Sequence, residues 1–160
     1  MYLDNFIIAR ALHILGVVMW IGGVSMVTTV LLSALNEFSH SKDKVALFEK
    51  IERRFAWQAR FTTLLTGISG FYMLYLMDGW QRYLHLNYWW LHAMTIIWFI
   101  FTLVLFVLEP LILHRWFLKQ ANRQPKRTFA LIQRMHWILL TISLITIVGA
   151  VMGSHGGQFF

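Results

Sequence analysis

Apolar residues run through this chain in long unbroken blocks, unlike the alternating or one-sided patterns of a water-soluble fold. Crossing about 30 Å of hydrocarbon as a helix takes about 20 such residues. Four blocks answer to this, at about residues 6–35, 55–77, 88–113 and 138–152, each free to extend as helix beyond the lipid. The polar stretches between them lie at about 36–54 and 114–137 and should form the two loops of one face. In the first, Val45, Phe48, Ile51 and Phe55 share one stripe and Glu49 precedes Arg53 by one turn, so the second helix should begin in water. The expected fold is all-α, a single transmembrane domain built as an up-down-up-down four-helix bundle.

Charge orients that bundle. Lys42, Lys44, Lys50, Arg53 and Arg54 fall between the first two blocks, with Arg60 just inside the second. Arg115, Lys119, Arg123, Lys126 and Arg127 fall between the last two, with Arg134 leading into the fourth. The opposite face carries Arg10 and Arg82. Because loops rich in Lys and Arg stay in the cytoplasm, both termini are expected outside. Residues 1–5 carry no basic stretch, so the first block reads as a retained span.

Composition agrees. The chain is 58% hydrophobic and 13% charged, too little polar surface for a soluble fold of 160 residues, so the lipid bilayer is its first partner. It has no cysteine, which excludes disulfides, iron–sulfur clusters, thiolate metal sites and covalently attached haem. A net charge of +7 would suit nucleic acid, but the basic residues sit beside apolar blocks with no separate basic domain. Nucleic-acid binding is not expected.

Ionisable residues inside spans are costly and face a bundle interior or a cavity. His13 lies near the outer end of the first block and His92 near that of the third, on helices that sit diagonally in such a bundle. Two imidazoles at one depth suit bis-histidine ligation of a b-type haem. Arg10, one turn outward, would meet a propionate, with Arg82 and His85 as further propionate contacts. Gly16, Trp20 and Gly23 continue the His13 stripe and would shape the pocket. The competing interpretation makes both histidines hydrogen-bonding residues of a polar core. His114 and His136 stand at the inner end as a second, weaker pair, while His155 and His40 fall in terminal and loop segments.

Other residues keep rival chemistries open. Met73, Met77, Met94 and Met152 lie near the outer end and, with His13 and His92, would make a soft Cu(I) site. Methionine also fills gaps in cores. Gly67, Gly70 and Gly149 either let helices approach or leave room for a flat cofactor. Glu109, before Pro110, would pair with Arg60 at comparable depth or relay protons.

The segment Arg10-Ala11-Leu12-His13-Ile14-Leu15-Gly16, followed by Met19-Trp20-Ile21-Gly22-Gly23, resembles the first helix of CopD-like membrane proteins. It is also similar to that of HemJ-type protoporphyrinogen oxidases, as are Glu52-Arg53-Arg54 and Trp90-Leu91-His92-Ala93. HemJ proteins place a lysine two residues after the second histidine, where this chain has Met94. The resemblance implies a multi-pass protein of the bacterial inner membrane with haem b held by His13 and His92. One-electron transfer with a quinol, a periplasmic redox protein or a larger respiratory complex would follow, as a carrier or as part of an oxidoreductase. Copper transport or delivery is the alternative that the CopD branch implies, and a cofactor-free accessory subunit is a further one.

Overall fold

The computed structural model describes residues 2–35 and 41–156, all helix or short turn with no strand among them. Helix α1 (Tyr2–Met26) continues through a π turn (Val27–Leu31) into α2 (Leu32–Leu35). Helix α3 (Ser41–Leu76) follows, then two 3-10 turns (Gly79–Leu84 and Leu86–Tyr88). Helix α4 (Trp89–Leu103), a π stretch (Val104–Leu113) and α5 (His114–Arg123) come next, and α6 (Pro125–Ser154) closes the fold. The principal pairings are α1 on α3 and α4 on α6, with α3 also meeting α4 and α1 meeting α6. Three helical runs, Asp4–Leu35, Leu86–Leu113 and Pro125–Ser154, are long and apolar enough to cross a membrane.

The segments expected as loops are themselves largely helical. Residues 41–54 belong to α3, as their apolar stripe predicts, and 114–137 divide between α5 and α6 at Gln124, with Pro125 supplying a ready first helical turn. Phe48, Phe117 and Phe129 bind these inner ends together, their ring centroids 5.1 to 5.8 Å apart and their planes tilted or edge-on. Lys44 lies 4.5 Å from the Phe129 centroid, and burial lowers its pKa from the usual lysine range.

Two places interrupt the α-helical register. At Val27–Leu31 the N–H of Leu32 donates to the carbonyl of Val27, five residues back. Thr28 and Thr29 bond the carbonyls of Val24 and Ser25, competition that loosens the regular ladder. At Val104–Leu113 the cause is Pro110, which has no N–H to give. In a π register its partner would be the carbonyl five residues back, on Leu105. Arg60 Nε donates to that carbonyl at 3.0 Å, while its Nη2 pairs with Glu109 Oε2. The expected Arg60–Glu109 pair is therefore present, and the same guanidinium satisfies the acceptor that proline orphans.

The seam between α1 and α3 rests on Gly16. A Cβ there would lie 2.5 Å from Thr66 Oγ1 and 3.2 Å from the backbone of Thr62 and Thr66. Thr66 cannot easily yield, since its hydroxyl is bonded to the Thr62 carbonyl at 2.8 Å. Gly22 has nothing within 4 Å of a notional Cβ. Gly16→Ala should therefore cost about 1–3 kcal/mol by overpacking, whereas Gly22→Ala should be neutral or stabilise by up to about 1 kcal/mol through helix propensity; thermal unfolding in detergent separates the two. The same assay should show Arg60→Met to be strongly destabilising, since it leaves both Glu109 and a carbonyl unpaired. In a Pro110→Ala background, which restores an N–H for that carbonyl, the loss should be smaller.

Candidate functional site

His13 is held against α3. Its Nδ1 donates to the carbonyl of Thr66 at 2.9 Å and lies 3.4 Å from Ser69 Oγ. Ser69 in turn gives its proton to the carbonyls of Leu65 and Thr66, so its oxygen is free to accept. Gly70 completes the seat: a Cβ there would meet His13 Cε1 at 3.1 Å and Nδ1 at 3.2 Å. With Nδ1 fixed as a donor, Nε2 carries the ring's lone pair, the arrangement by which proteins orient a histidine that ligates a metal. One turn inward, Gly16 lets Thr66 approach, so the seat and the helix seam are one construction.

His92 is held differently. Its Nδ1 lies 3.1 Å from the carbonyl of Tyr88, one turn back on its own chain, and its Nε2 lies 3.0 Å from the carbonyl of Tyr83. A neutral imidazole has a single N–H and satisfies one of these acceptors; only a doubly protonated ring satisfies both. Tyr83 is fastened twice more, by an edge-on contact with the His92 ring at 5.4 Å and by its hydroxyl at 2.7 Å from Thr95 Oγ1. Trp80 stacks on Tyr83 and on Phe71, and the Arg82 guanidinium lies 5.5 Å from the Tyr88 centroid. The outer turns, entered through left-handed Asp78, thus close over His92 as an aromatic cover.

The expected pocket residues are packed by protein atoms. Gly16 receives Thr66 and Gly23 receives the ring of Phe55. Trp20 meets Phe101 edge-on at 4.9 Å, with its Nε1 buried and without an acceptor among the described residues. Gly67 takes Trp98, whose Nε1 donates to the Thr63 carbonyl at 2.9 Å, while Gly149 and Gly153 take Trp89 and Trp90. These glycines do leave room for flat rings, and the rings come from the chain itself. A shallow groove of about 210 Å³ lies on the outer side of the α1–α3 seam, between residues including Leu12 and Ser69.

The remaining candidates are dispersed. Arg10 and His85 are exposed, and His85 joins the two 3-10 turns in extended conformation. His136 Nδ1 bonds the Ile132 carbonyl at 2.9 Å; the side chain of His114 lies outside the described residues, as does His40 entirely. His155 is exposed and lies 2.8 Å from the Val151 carbonyl. Met77 and Met152 are exposed, while Met73 and Met94 are half-buried. Among the described residues no three or more His, Asp or Glu side chains gather as a metal cluster.

Haem ligation by the histidine pair requires both Nε2 atoms open and a flat space beside them. His13 meets the first requirement, since its hydrogen bonds among the described residues use Nδ1 alone, but the groove on that side of the seam is not lined by it. His92 meets neither, because its Nε2 faces Tyr83 and the neighbouring notches hold aromatic rings. Thr66, Ser69 and Tyr83 are the parts of the site that the sequence did not single out, whereas Gly70 stood among the candidate glycines; the spacing of Gly67 and Gly70 against His13 was the available signal. Searches against known protein families, curated proteins and solved structures return no match for this chain.

Tyr83→Phe removes the hydroxyl bond to Thr95 while keeping the ring contact. Amide exchange across 79–88 should quicken severalfold, with α1 and α3 unchanged; unaltered exchange would show that the hydroxyl does not hold the cover.

Proposed function

We propose that this chain is a four-span protein of the bacterial inner membrane, with both termini outside, that binds a b-type haem through His13. The polarity of α3 supports the fourth span. Its hydroxyl residues Thr62, Thr63, Thr66 and Ser69 are buried, while Trp57, Phe61, Ile68 and Tyr75 are 65–73% exposed. Polar inside and apolar outside is the arrangement hydrocarbon demands, and the charged inner half of this helix, up to Arg60, makes it less apolar overall than the other three.

The observation that carries the haem reading is the seat of His13, with Nδ1 fixed by a backbone carbonyl and Nε2 left to ligate. Haem, when bound, supplies one-electron chemistry. The chain's own part is to orient His13 through Thr66 and Ser69, cover His92 with the outer aromatic rings, and offer Arg10 and Arg82 to carboxylates at the interface. His92 becomes a second ligand only if the turn bearing Tyr83 withdraws its carbonyl. Electron transfer with a quinol, a periplasmic redox protein or a respiratory complex follows as the role, alone or within an oxidoreductase, and the CopD-like and HemJ-like resemblance points the same way. A Cu(I) site has less support, because Met77 and Met152 lie exposed.

A reduced-minus-oxidised spectrum of purified protein expressed with ample haem tests this. A b-type spectrum with stoichiometric iron is expected, and His13→Ala should lose most of the haem. Unchanged occupancy in His13→Ala would remove it as the ligand; a blank wild-type spectrum would sink the cytochrome reading.

A further inference from the structure

At the inner end of the bundle the exposed surface changes character at one level on two separate helices. On α3 the outward positions are apolar through Ile68, Leu64 and Phe61, reach Trp57 at 73% exposure, and then become Arg54 and Arg53. On α6 they are apolar through Ile145, Ile142 and Ile138, reach Trp137 at 45% exposure, and then become Arg134. Phe48 and Phe129 meet edge-on at 5.4 Å, and Trp57 and Trp137 follow them by nine and eight residues on helices that both run outward, which sets the two tryptophans at about the same depth. Tryptophan one turn below arginine is the sequence of groups met on passing from acyl chains through the glycerol region to headgroups.

We infer that Arg53, Arg54 and Arg134 form a binding belt for the phosphate headgroups of anionic phospholipids, with Trp57 and Trp137 seated beneath them. Charge complementarity selects the occupant. Arg53, Arg54 and Arg134 are exposed, Glu109 of the neighbouring π stretch is held by Arg60, and Glu49 and Glu52, the carboxylates nearest the belt on α3, each have an interaction of their own. Arginine forks match phosphate oxygens bidentately, and juxtamembrane basic residues gain from an anionic leaflet. The tip of the inner extension, where exposed Lys126 and Arg127 open α6, lies beyond the Phe48–Phe117–Phe129 cluster and is farther from the lipid. An acidic soluble partner would use the tip at least as well as the belt.

The inference rests on the four-span placement above but not on haem. Full-length protein in detergent would be titrated with short-chain phosphatidylglycerol or phosphatidylcholine, following retained lipid by native mass spectrometry and the melting temperature. Phosphatidylglycerol should bind preferentially, and Arg53→Gln/Arg54→Gln should weaken it by tenfold or more, given about a fivefold gain per basic group. Lys126→Gln/Arg127→Gln, with the same loss of charge at the tip, should change it less than twofold. Equal binding of both lipids, or equal loss in both variants, would overturn the belt. Should the Arg53/Arg54 variant not fold, Arg134→Gln reads the part of the belt on α6, with a severalfold loss expected and none overturning it. Extraction of the protein from membranes by carbonate would sink the placement itself, whereas stable insertion without lipid preference would sink this inference alone.

Discussion

Polar groups inside this bundle have to be answered from within, Trp20 Nε1 and Thr63 Oγ1 being exceptions among the described residues, and the α1–α3 seam is where that constraint is met most densely. Thr62, Thr66 and Ser69 each return a hydroxyl proton to carbonyls of their own helix, which leaves α3 polar in composition yet closed at its surface. Gly16 then brings α1 near enough for the Thr66 carbonyl to serve a second donor, the ring of His13. Helix contact and histidine orientation therefore rest on the same close approach of α1 to α3.

The inner half meets the same demand by another route. Proline takes a donor away from the π stretch, and a guanidinium from the adjacent helix replaces it while neutralising Glu109. Arg60 is thus a backbone partner as well as an ionic one, which a lysine with its single point charge would reproduce only in part.

Much of this was legible in the chain. Long apolar blocks gave the helices, the stripe from Val45 to Phe55 gave the inner extension of α3, and matched depth gave the Arg60–Glu109 pair. What pattern could not give was the partner of each small residue. Gly23, Gly67, Gly149 and Gly153 suit a flat occupant equally well whether it is a cofactor or an aromatic side chain, and spacing carries no information about which. The π stretches were illegible for a related reason: register depends on where a displaced hydrogen bond finds its substitute, here on a helix 45 residues away in sequence. The turn over His92 was hidden because its contacts are made by main-chain carbonyls, which every residue has.

The π stretch also acts as a phase shifter. A π turn holds one residue more than the α turn it replaces, so the faces of α4 and α5 are not continuous on one regular helix. Removing a single residue between 104 and 113 would rotate everything downstream by about 100°. Phe117 and Ala121 would swing away from Phe48 and Phe129, while the outer half around His92 kept its place. In this stretch the number of residues is under tighter constraint than their identity, and the inner extension would tolerate many substitutions there before it tolerated one deletion.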